Sequence, residues 1–220
     1  METIPRDAST AAALCLATYT ESALQWHGSE PVWKLAPEPV VWGHRMVDGV
    51  NWVVFRGTSN FREWLLDLRA IANPFDHGIL GPVHPGFYAG MEAVWRTVHE
   101  TIPQPRIFAG HSLGAARAAI LTGLAVASGE PPLARYCFGE PRAGFRALRD
   151  LIGGVPTWSY RNKVGDKVDP VTAVPITLAL ERYKHPVPLI DVSAAPAGWT
   201  PLFKSLSLHN PWLYQLAVCQ

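Results

Sequence analysis

The pentapeptide Gly110-His111-Ser112-Leu113-Gly114 decides the fold of this 220-residue chain. Segment 106–109 before it is typical of a short buried strand, and the alanine-rich segment 115–128 after it is typical of a helix. A serine at a sharp turn from strand to helix, with glycines two residues to either side, presents its hydroxyl to a cleft. This context predicts that Ser112 is a nucleophile, against the alternative that it caps an ordinary helix.

Nucleophilic chemistry at Ser112 needs two further kinds of group. A serine hydroxyl is a weak nucleophile until a neighbouring base takes its proton, and the oxyanion formed on the attacked carbonyl needs N–H donors. Leu113 lies in the first turn of the predicted helix, where the backbone N–H has no partner within the helix. We therefore expect the Leu113 N–H to be one oxyanion donor.

The rest of the chain alternates between helical and strand patterns, which predicts an α/β fold. Asp48-Gly49 favours a tight turn between two strands. Helices are predicted over 8–20, 60–71, 87–100, 142–151 and after 209, and strands over 40–47, 50–56, 106–109, 136–138, 157–161 and 187–192. We expect one domain over residues 1–220, with a mostly parallel central sheet flanked by helices.

Composition excludes several classes of function. The 19 basic and 18 acidic residues give a net charge of +1 without charged runs, so we expect no nucleic-acid partner. The three cysteines form no metal-ligand pattern, and the predicted chemistry requires neither metal nor organic cofactor. Acidic residues precede the apolar run 11–17, which does not fit a secretory signal, and no stretch approaches the ~18 apolar residues of a spanning helix. A cytoplasmic location is the default expectation.

The base and the acid of a hydrolase with this architecture follow the nucleophile in the order serine, acid, histidine. Only two histidines, His185 and His209, lie downstream of Ser112. The acid must lie in a loop just after a strand, on the side of the sheet where the nucleophile lies. Asp166 and Asp169 both meet this condition, and the residue pattern alone does not rank them.

Five motifs in one order resemble those of a known family. They are Phe55-Arg56-Gly57-Thr58, Trp64-Leu65-Leu66-Asp67, His84-Pro85-Gly86-Phe87, Gly110-His111-Ser112-Leu113-Gly114-Ala115-Ala116 and Phe138-Gly139-Glu140-Pro141-Arg142-Ala143-Gly144. Together they resemble the class 3 lipases, the fungal-lipase-like branch of the α/β-hydrolases, over roughly residues 8 to 214. The resemblance implies an α/β-hydrolase fold.

The resemblance also ranks the candidates for acid and base. The family's catalytic aspartate opens an Asp-x-Val-Pro segment, which Asp166 fits, although Asp169 stands where proline is usual; Asp169 is the alternative. The family's catalytic histidine lies near the C-terminus with an aromatic residue a few positions later, as His209 does. His185 resembles a second family histidine with a structural place, and is the alternative base.

By the same resemblance, Thr58 supplies the second oxyanion donor, beside Leu113. Segment 58–72 lies where family members carry a lid, and an amphipathic helix there would cover an apolar cleft and meet a lipid surface transiently. The alternative is that its apolar face packs on the core. The candidate lid residues are Phe61, Trp64, Leu65 and Leu68.

The sequence therefore predicts a serine carboxylic ester hydrolase of lipase or esterase type, which acts through a Ser-His-Asp triad and an acyl-enzyme. Its expected substrate is an ester or a lipid. An acyltransferase with the same triad is one alternative, because the two reactions differ only in the acceptor. A catalytically inactive hydrolase fold that binds a lipid or a protein is the other.

Overall fold

A mostly parallel sheet forms the centre of the structure, a computed structural model that describes residues 7–20, 25–28, 40–58, 74–175, 183–195 and 205–219. In chain order its strands are β1 (Gln25–Gly28), β2 (Val41–Val47), β3 (Val50–Phe55), β6 (Arg106–His111), β7 (Ala134–Phe138), β8 (Thr157–Val164), β9 (Lys167–Val168) and β10 (Leu189–Val192). The spatial order is β1-β2-β3-β6-β7-β8-β10, with β9 beside β8. From β3 to β10 neighbouring strands are parallel, whereas β1 and β2 extend the sheet antiparallel. A separate two-stranded ribbon pairs β4 (Phe75–Asp76) with β5 (Pro82–Val83).

Six α-helices surround the sheet within the described ranges: α1 (Asp7–Thr20), α2 (Pro85–Tyr88), α3 (Met91–Thr101), α4 (Leu113–Ala127), α5 (Arg146–Ile152) and α6 (Pro211–Val218). None of the helices in those ranges is long and apolar enough to cross a bilayer. The predicted fold class, a mostly parallel sheet flanked by helices, is confirmed.

The two faces of the sheet bury separate hydrophobic clusters. Val53 and Phe55 of β3 pack with residues of α3, α4 and α5 on one face. Trp52 and Val54 alternate with them and pack with residues of α1 and α6 on the other. A strand covered on both faces is apolar at nearly every position, which is why β3 reads as a continuous apolar run.

Tight turns follow the local signals in the sequence. Asp48 and Gly49, with φ of 50° and 79°, connect β2 to β3 as the dipeptide predicts. The helix predicted over 87–100 is instead two helices, because Gly90, with φ of 82°, caps the start of α3. The helix predicted over 142–151 begins only at Arg146.

The end of β8 differs from the prediction, with consequences for the site. The strand continues past 161 to Val164, turns through Gly165 and Asp166, and returns as β9. The chain therefore leaves the sheet after Val168 and not before Asp166. The loop after the strand therefore begins at Asp169, whereas the sequence predicts that it begins at 162.

Candidate active site

Ser112 lies in a strained turn between β6 and α4. Its φ of 59° and ψ of −128° place it in the positive-φ region, where L-residues rarely occur. The turn is close-packed: a Cβ on Gly114 would lie 2.7 Å from the carbonyl carbon of Phe55, and one on Gly110 would collide with the Gly114 backbone. The Ser112 Oγ is buried and has no hydrogen-bond partner among the described residues. The geometry is that of a nucleophile elbow whose serine lines a cleft.

A buried carboxylate and imidazole lie at the same end of the sheet. His209 is the last residue of a short 3-10 turn (Ser205–His209), and its Nδ1 is 2.6 Å from Asp169 Oδ2. A carboxylate can only accept, so Nδ1 carries the proton and Nε2 carries the lone pair of the neutral ring. His209 and Ser112 line one cleft of about 370 Å³. In this tautomer the Nε2 of His209 can accept the proton of a serine hydroxyl.

The Asp169 carboxylate is kept ionised by its neighbours. Burial alone would raise its pKa, but His209 and hydrogen bonds from the Tyr214 hydroxyl and the Val171 N–H hold the pKa below its ordinary value. Tyr214 Oη is 2.5 Å from Oδ2, and Val171 N is 2.9 Å from Oδ1. The charge is thus available to stabilise an imidazolium at His209.

The prediction that Asp166 pairs with the histidine is wrong. Asp166 lies in the β8–β9 turn with its side chain 81% exposed, 3.3 Å from Lys167 Nζ. Asp169, the alternative, contacts His209 because the hairpin brings residue 169 back to the end of the sheet. Asp169 also caps a 3-10 turn that begins at Pro170. An aspartate followed by a proline is typical of the start of such a turn, so the sequence does carry a signal for a loop at this point.

His185, the alternative base, lies elsewhere. Its Nε2 is 2.7 Å from the carbonyl oxygen of Thr172, in the 3-10 turn that follows Asp169. Burial lowers its pKa, so the ring is neutral and donates to that carbonyl. His185 supports the loop that carries Asp169 and does not line the cleft.

The two expected oxyanion donors lie at the same end of the sheet as the nucleophile. Leu113 is the first residue of α4 and is buried, and Thr58 follows β3 and is 8% exposed. Because β3 and β6 are parallel neighbours, their carboxyl ends bring both backbones to this end of the sheet. The described residues that line the cleft are Tyr19, Thr58, His111, Ser112, Ser207, His209, Asn210 and Pro211.

A larger cavity of about 500 Å³ lies beside α3. Phe75, Asp76, His77, Tyr88 and Arg96 are among its lining residues, and the described part of the lining holds no serine, threonine or cysteine. The described residues therefore place no nucleophile of that kind in this cavity. The smaller cleft at Ser112 is therefore the candidate active site.

Three buried residues that the sequence did not single out lie around the Asp169–His209 pair. The side-chain amide of Asn162 donates to the carbonyls of Ala194 and Leu208, and its backbone carbonyl accepts from the Asp169 N–H. Tyr214 donates to Asp169, as described above. A Cβ on Gly139 would lie 2.7 Å from both Asp169 Oδ2 and His209 Cε1. The aromatic residue after His209 was the available signal for Tyr214; Asn162 had none.

The candidate lid residues Phe61, Trp64, Leu65 and Leu68 lie outside the described residues. Of the predicted segment 58–72, only Thr58 is described.

Comparisons with known proteins give the family and the fold of the chain. A family model described as lipase (class 3) matches residues 52–178. A triacylglycerol lipase from Penicillium expansum is 18% identical, with a TM-score of 0.62 over 86% of this chain and 79% of that one. The Rhizomucor miehei triacylglyceride lipase is 18% identical, with a TM-score of 0.59 over 87% and 78%. A triacylglycerol lipase whose catalytic centre is formed by a serine protease triad is 20% identical, with a TM-score of 0.54 over 76% and 71%. No curated protein matched the chain.

Proposed function

Because the chain belongs to the class 3 lipase family, we propose that it hydrolyses carboxylic esters with Ser112 as nucleophile, His209 as base and Asp169 as the orienting acid. The observation that carries the proposal is the 2.6 Å contact between His209 Nδ1 and Asp169 Oδ2, at the cleft that Ser112 also lines. This arrangement matches the division of roles in a serine triad.

The reaction follows from the positions of these groups. The Ser112 Oγ attacks the ester carbonyl carbon while His209 Nε2 accepts its proton, and the imidazolium is stabilised by the Asp169 carboxylate. The carbonyl oxygen becomes an oxyanion between the N–H groups of Leu113 and Thr58. His209 then returns the proton to the leaving alcohol oxygen, and the C–O bond breaks to leave an acyl-enzyme.

Water completes the cycle by the same steps. His209 takes a proton from a water molecule, whose oxygen attacks the acyl carbon. As the second tetrahedral intermediate collapses, the bond from the acyl carbon to Ser112 Oγ breaks, His209 returns the proton to Oγ, and the acid leaves. A second alcohol in place of water would give acyl transfer, so analysis of the products separates hydrolase from acyltransferase. The buried, ionised Asp169 favours an active enzyme over an inactive binding fold.

Replacement of Ser112 by alanine tests the assignment. We expect Ser112→Ala to lower kcat on a nitrophenyl ester by about 10⁴-fold or more, because no other group replaces the nucleophile. A fluorophosphonate probe should label the wild type and not the variant. Ser128→Ala, at the far end of α4, is the matched control and should retain activity and labelling. Turnover retained in Ser112→Ala would contradict the assignment.

The finer proposal is that the substrate is a lipid ester met at an interface. The family match supports it, and so does α6, which begins beside His209, carries no charged residue and exposes Trp212 and Leu216. Esters from acetate to long acyl chains, assayed below and above their solubility limit, test it. A rise in rate above that limit is expected for a lipase. Preference for short, dissolved esters would indicate an esterase instead.

A further inference from the structure

Tyr19 lies outside the segment that the family model matches, yet it lines the cleft. It is in the last turn of α1, and its ring is half-buried. Its hydroxyl oxygen is 2.8 Å from His111 Nδ1 and accepts a hydrogen bond of 3.1 Å from the Gly57 N–H. One hydroxyl therefore joins the segment after β3 to the last residue of β6.

The direction of each hydrogen bond in this chain of contacts is determined. His111 Nε2 is 2.8 Å from the carbonyl oxygen of His209, which can only accept, so Nε2 carries the proton. Burial is the larger of two effects that hold the pKa of His111 well below its ordinary value, and the nearby His209 is the smaller. The His111 ring is therefore neutral, and its Nδ1 accepts a hydrogen bond. The Tyr19 hydroxyl must then donate to His111 and accept from Gly57.

Gly57 transmits the position of Tyr19 to the nucleophile. A Cβ on Gly57 would lie 2.9 Å from Ser112 Cβ and 2.9 Å from the His111 carbonyl oxygen, and would collide with the Tyr19 hydroxyl. The Gly57 backbone is thus in direct contact with the nucleophile turn, and only a hydrogen atom fits there. The next residue, Thr58, supplies the proposed oxyanion donor.

We infer that Tyr19 is a positioning residue of the oxyanion hole. Its hydroxyl connects Gly57, His111 and the backbone of His209 through one chain of hydrogen bonds. The inference rests on the proposed function, because an oxyanion hole is meaningful only for acyl transfer. Tyr19 acts through the Gly57-Thr58 backbone on one side. Through His111 it acts on the segment that holds the base.

A positioning role in the oxyanion hole predicts a specific kinetic signature. The oxyanion exists in the transition state and not in the bound ester, so a displaced donor lowers kcat and leaves KM nearly unchanged. A tetrahedral boronate adduct at Ser112 carries the same negative oxygen, so its affinity should fall by the same factor as kcat. A residue that only stabilises the fold would move the melting temperature and neither of these quantities.

The experiment compares Tyr19→Phe with Tyr88→Phe, measured for kcat, KM, boronate inhibition and melting temperature. Tyr88 also donates its hydroxyl, at 2.6 Å to Glu92, but lines the other cavity, so Tyr88→Phe should match the wild type in kcat. We expect Tyr19→Phe to lower kcat about ten-fold and to change KM by less than about two-fold. The loss is smaller than the roughly 10²- to 10³-fold that removal of a whole oxyanion donor causes, because the donor is displaced and not removed. Boronate affinity should fall about ten-fold as well.

A second variant keeps the inference testable if Tyr19→Phe folds poorly. His111→Phe keeps a planar ring and removes the Nδ1 acceptor of the Tyr19 hydroxyl, together with the Nε2 donor to the His209 carbonyl. The double variant should lose little more kcat than the larger single loss, because both changes interrupt one chain.

Wild-type kcat in folded Tyr19→Phe, or losses that multiply in the double variant, would overturn the inference. Failure of the proposed function is distinguishable, because the wild type would then show no turnover and no labelling of Ser112.

Discussion

At the scale of one residue, Gly139 lies where the site leaves no space for a larger side chain. It follows β7 with φ of 59°, and it contacts both the Asp169 carboxylate and the His209 ring. We expect Gly139→Ala to lower kcat by about 100-fold or more, because a methyl group 2.7 Å from each partner must push them apart. Steady-state kinetics on a nitrophenyl ester measure the effect.

Gly165→Ala is the matched control for that substitution. Gly165 has nearly the same φ, 60°, but a Cβ there meets nothing within 4 Å. Both variants should lose about 1 kcal/mol of unfolding free energy from backbone strain. Only Gly139→Ala should lose activity; an equal loss in Gly165→Ala would show that strain, and not contact with the pair, is responsible.

The contact of Asp169, and not Asp166, with His209 is a second residue-scale result. Asp166 and Asp169 are three positions apart, and both follow the same strand pattern. The pattern could not place them, since the β8–β9 hairpin depends on pairing of Lys163 with Val168, a contact that local propensity does not specify. Ser112 and Leu113 follow from local context and His209 from the family resemblance, and their catalytic roles are proposals.

At the scale of elements, β7 carries a buried ion pair beneath the site. Arg135 Nη1 is 2.5 Å from Glu140 Oε1, both side chains are fully buried, and the Ser159 hydroxyl of β8 donates to Glu140. The pair thus ties the end of β7, next to Gly139, to β8. The short motif Phe138-Gly139-Glu140 in the sequence includes one partner, but nothing local identifies Arg135 as the other.

Glu140→Ala should lower the unfolding free energy by about 3 to 5 kcal/mol, because it leaves the Arg135 guanidinium buried without a counter-charge. Urea denaturation measures the change. The double variant Arg135→Met with Glu140→Leu should recover much of the loss, since no buried charge remains.

The control for this prediction is Asp150→Ala, which breaks exposed contacts with Arg146 and Arg149 and should lower the unfolding free energy far less. A Glu140→Ala loss no larger than that of Asp150→Ala would contradict the prediction.

At the scale of the whole molecule, the folded state keeps His111 neutral. Burial lowers its pKa well below the ordinary 6.5, so the unfolded chain binds a proton that the folded protein does not. Stability from this group is therefore full above pH 6.5 and is lost as the pH falls below that value. The slope approaches about 1.4 kcal/mol per pH unit.

We expect the unfolding free energy of the wild type to fall more between pH 7 and pH 5 than that of His111→Gln. Buried His185 titrates in the same direction in both proteins, so the difference between their slopes is the informative quantity. Parallel slopes would show that His111 does not carry this pH dependence.

The sequence by itself determined the fold class, the turn at Asp48-Gly49, the nucleophile turn and the order of the candidate triad. Each of these follows from local backbone preferences, periodic burial or motif order along the chain. Tertiary structure alone decided that Asp169 and not Asp166 meets His209, 40 positions away, and that Tyr19 meets His111 across 92 positions. Such contacts depend on how α1 and the β8–β9 hairpin pack against the sheet. No local pattern encodes that packing, because many packings satisfy the same periodicity.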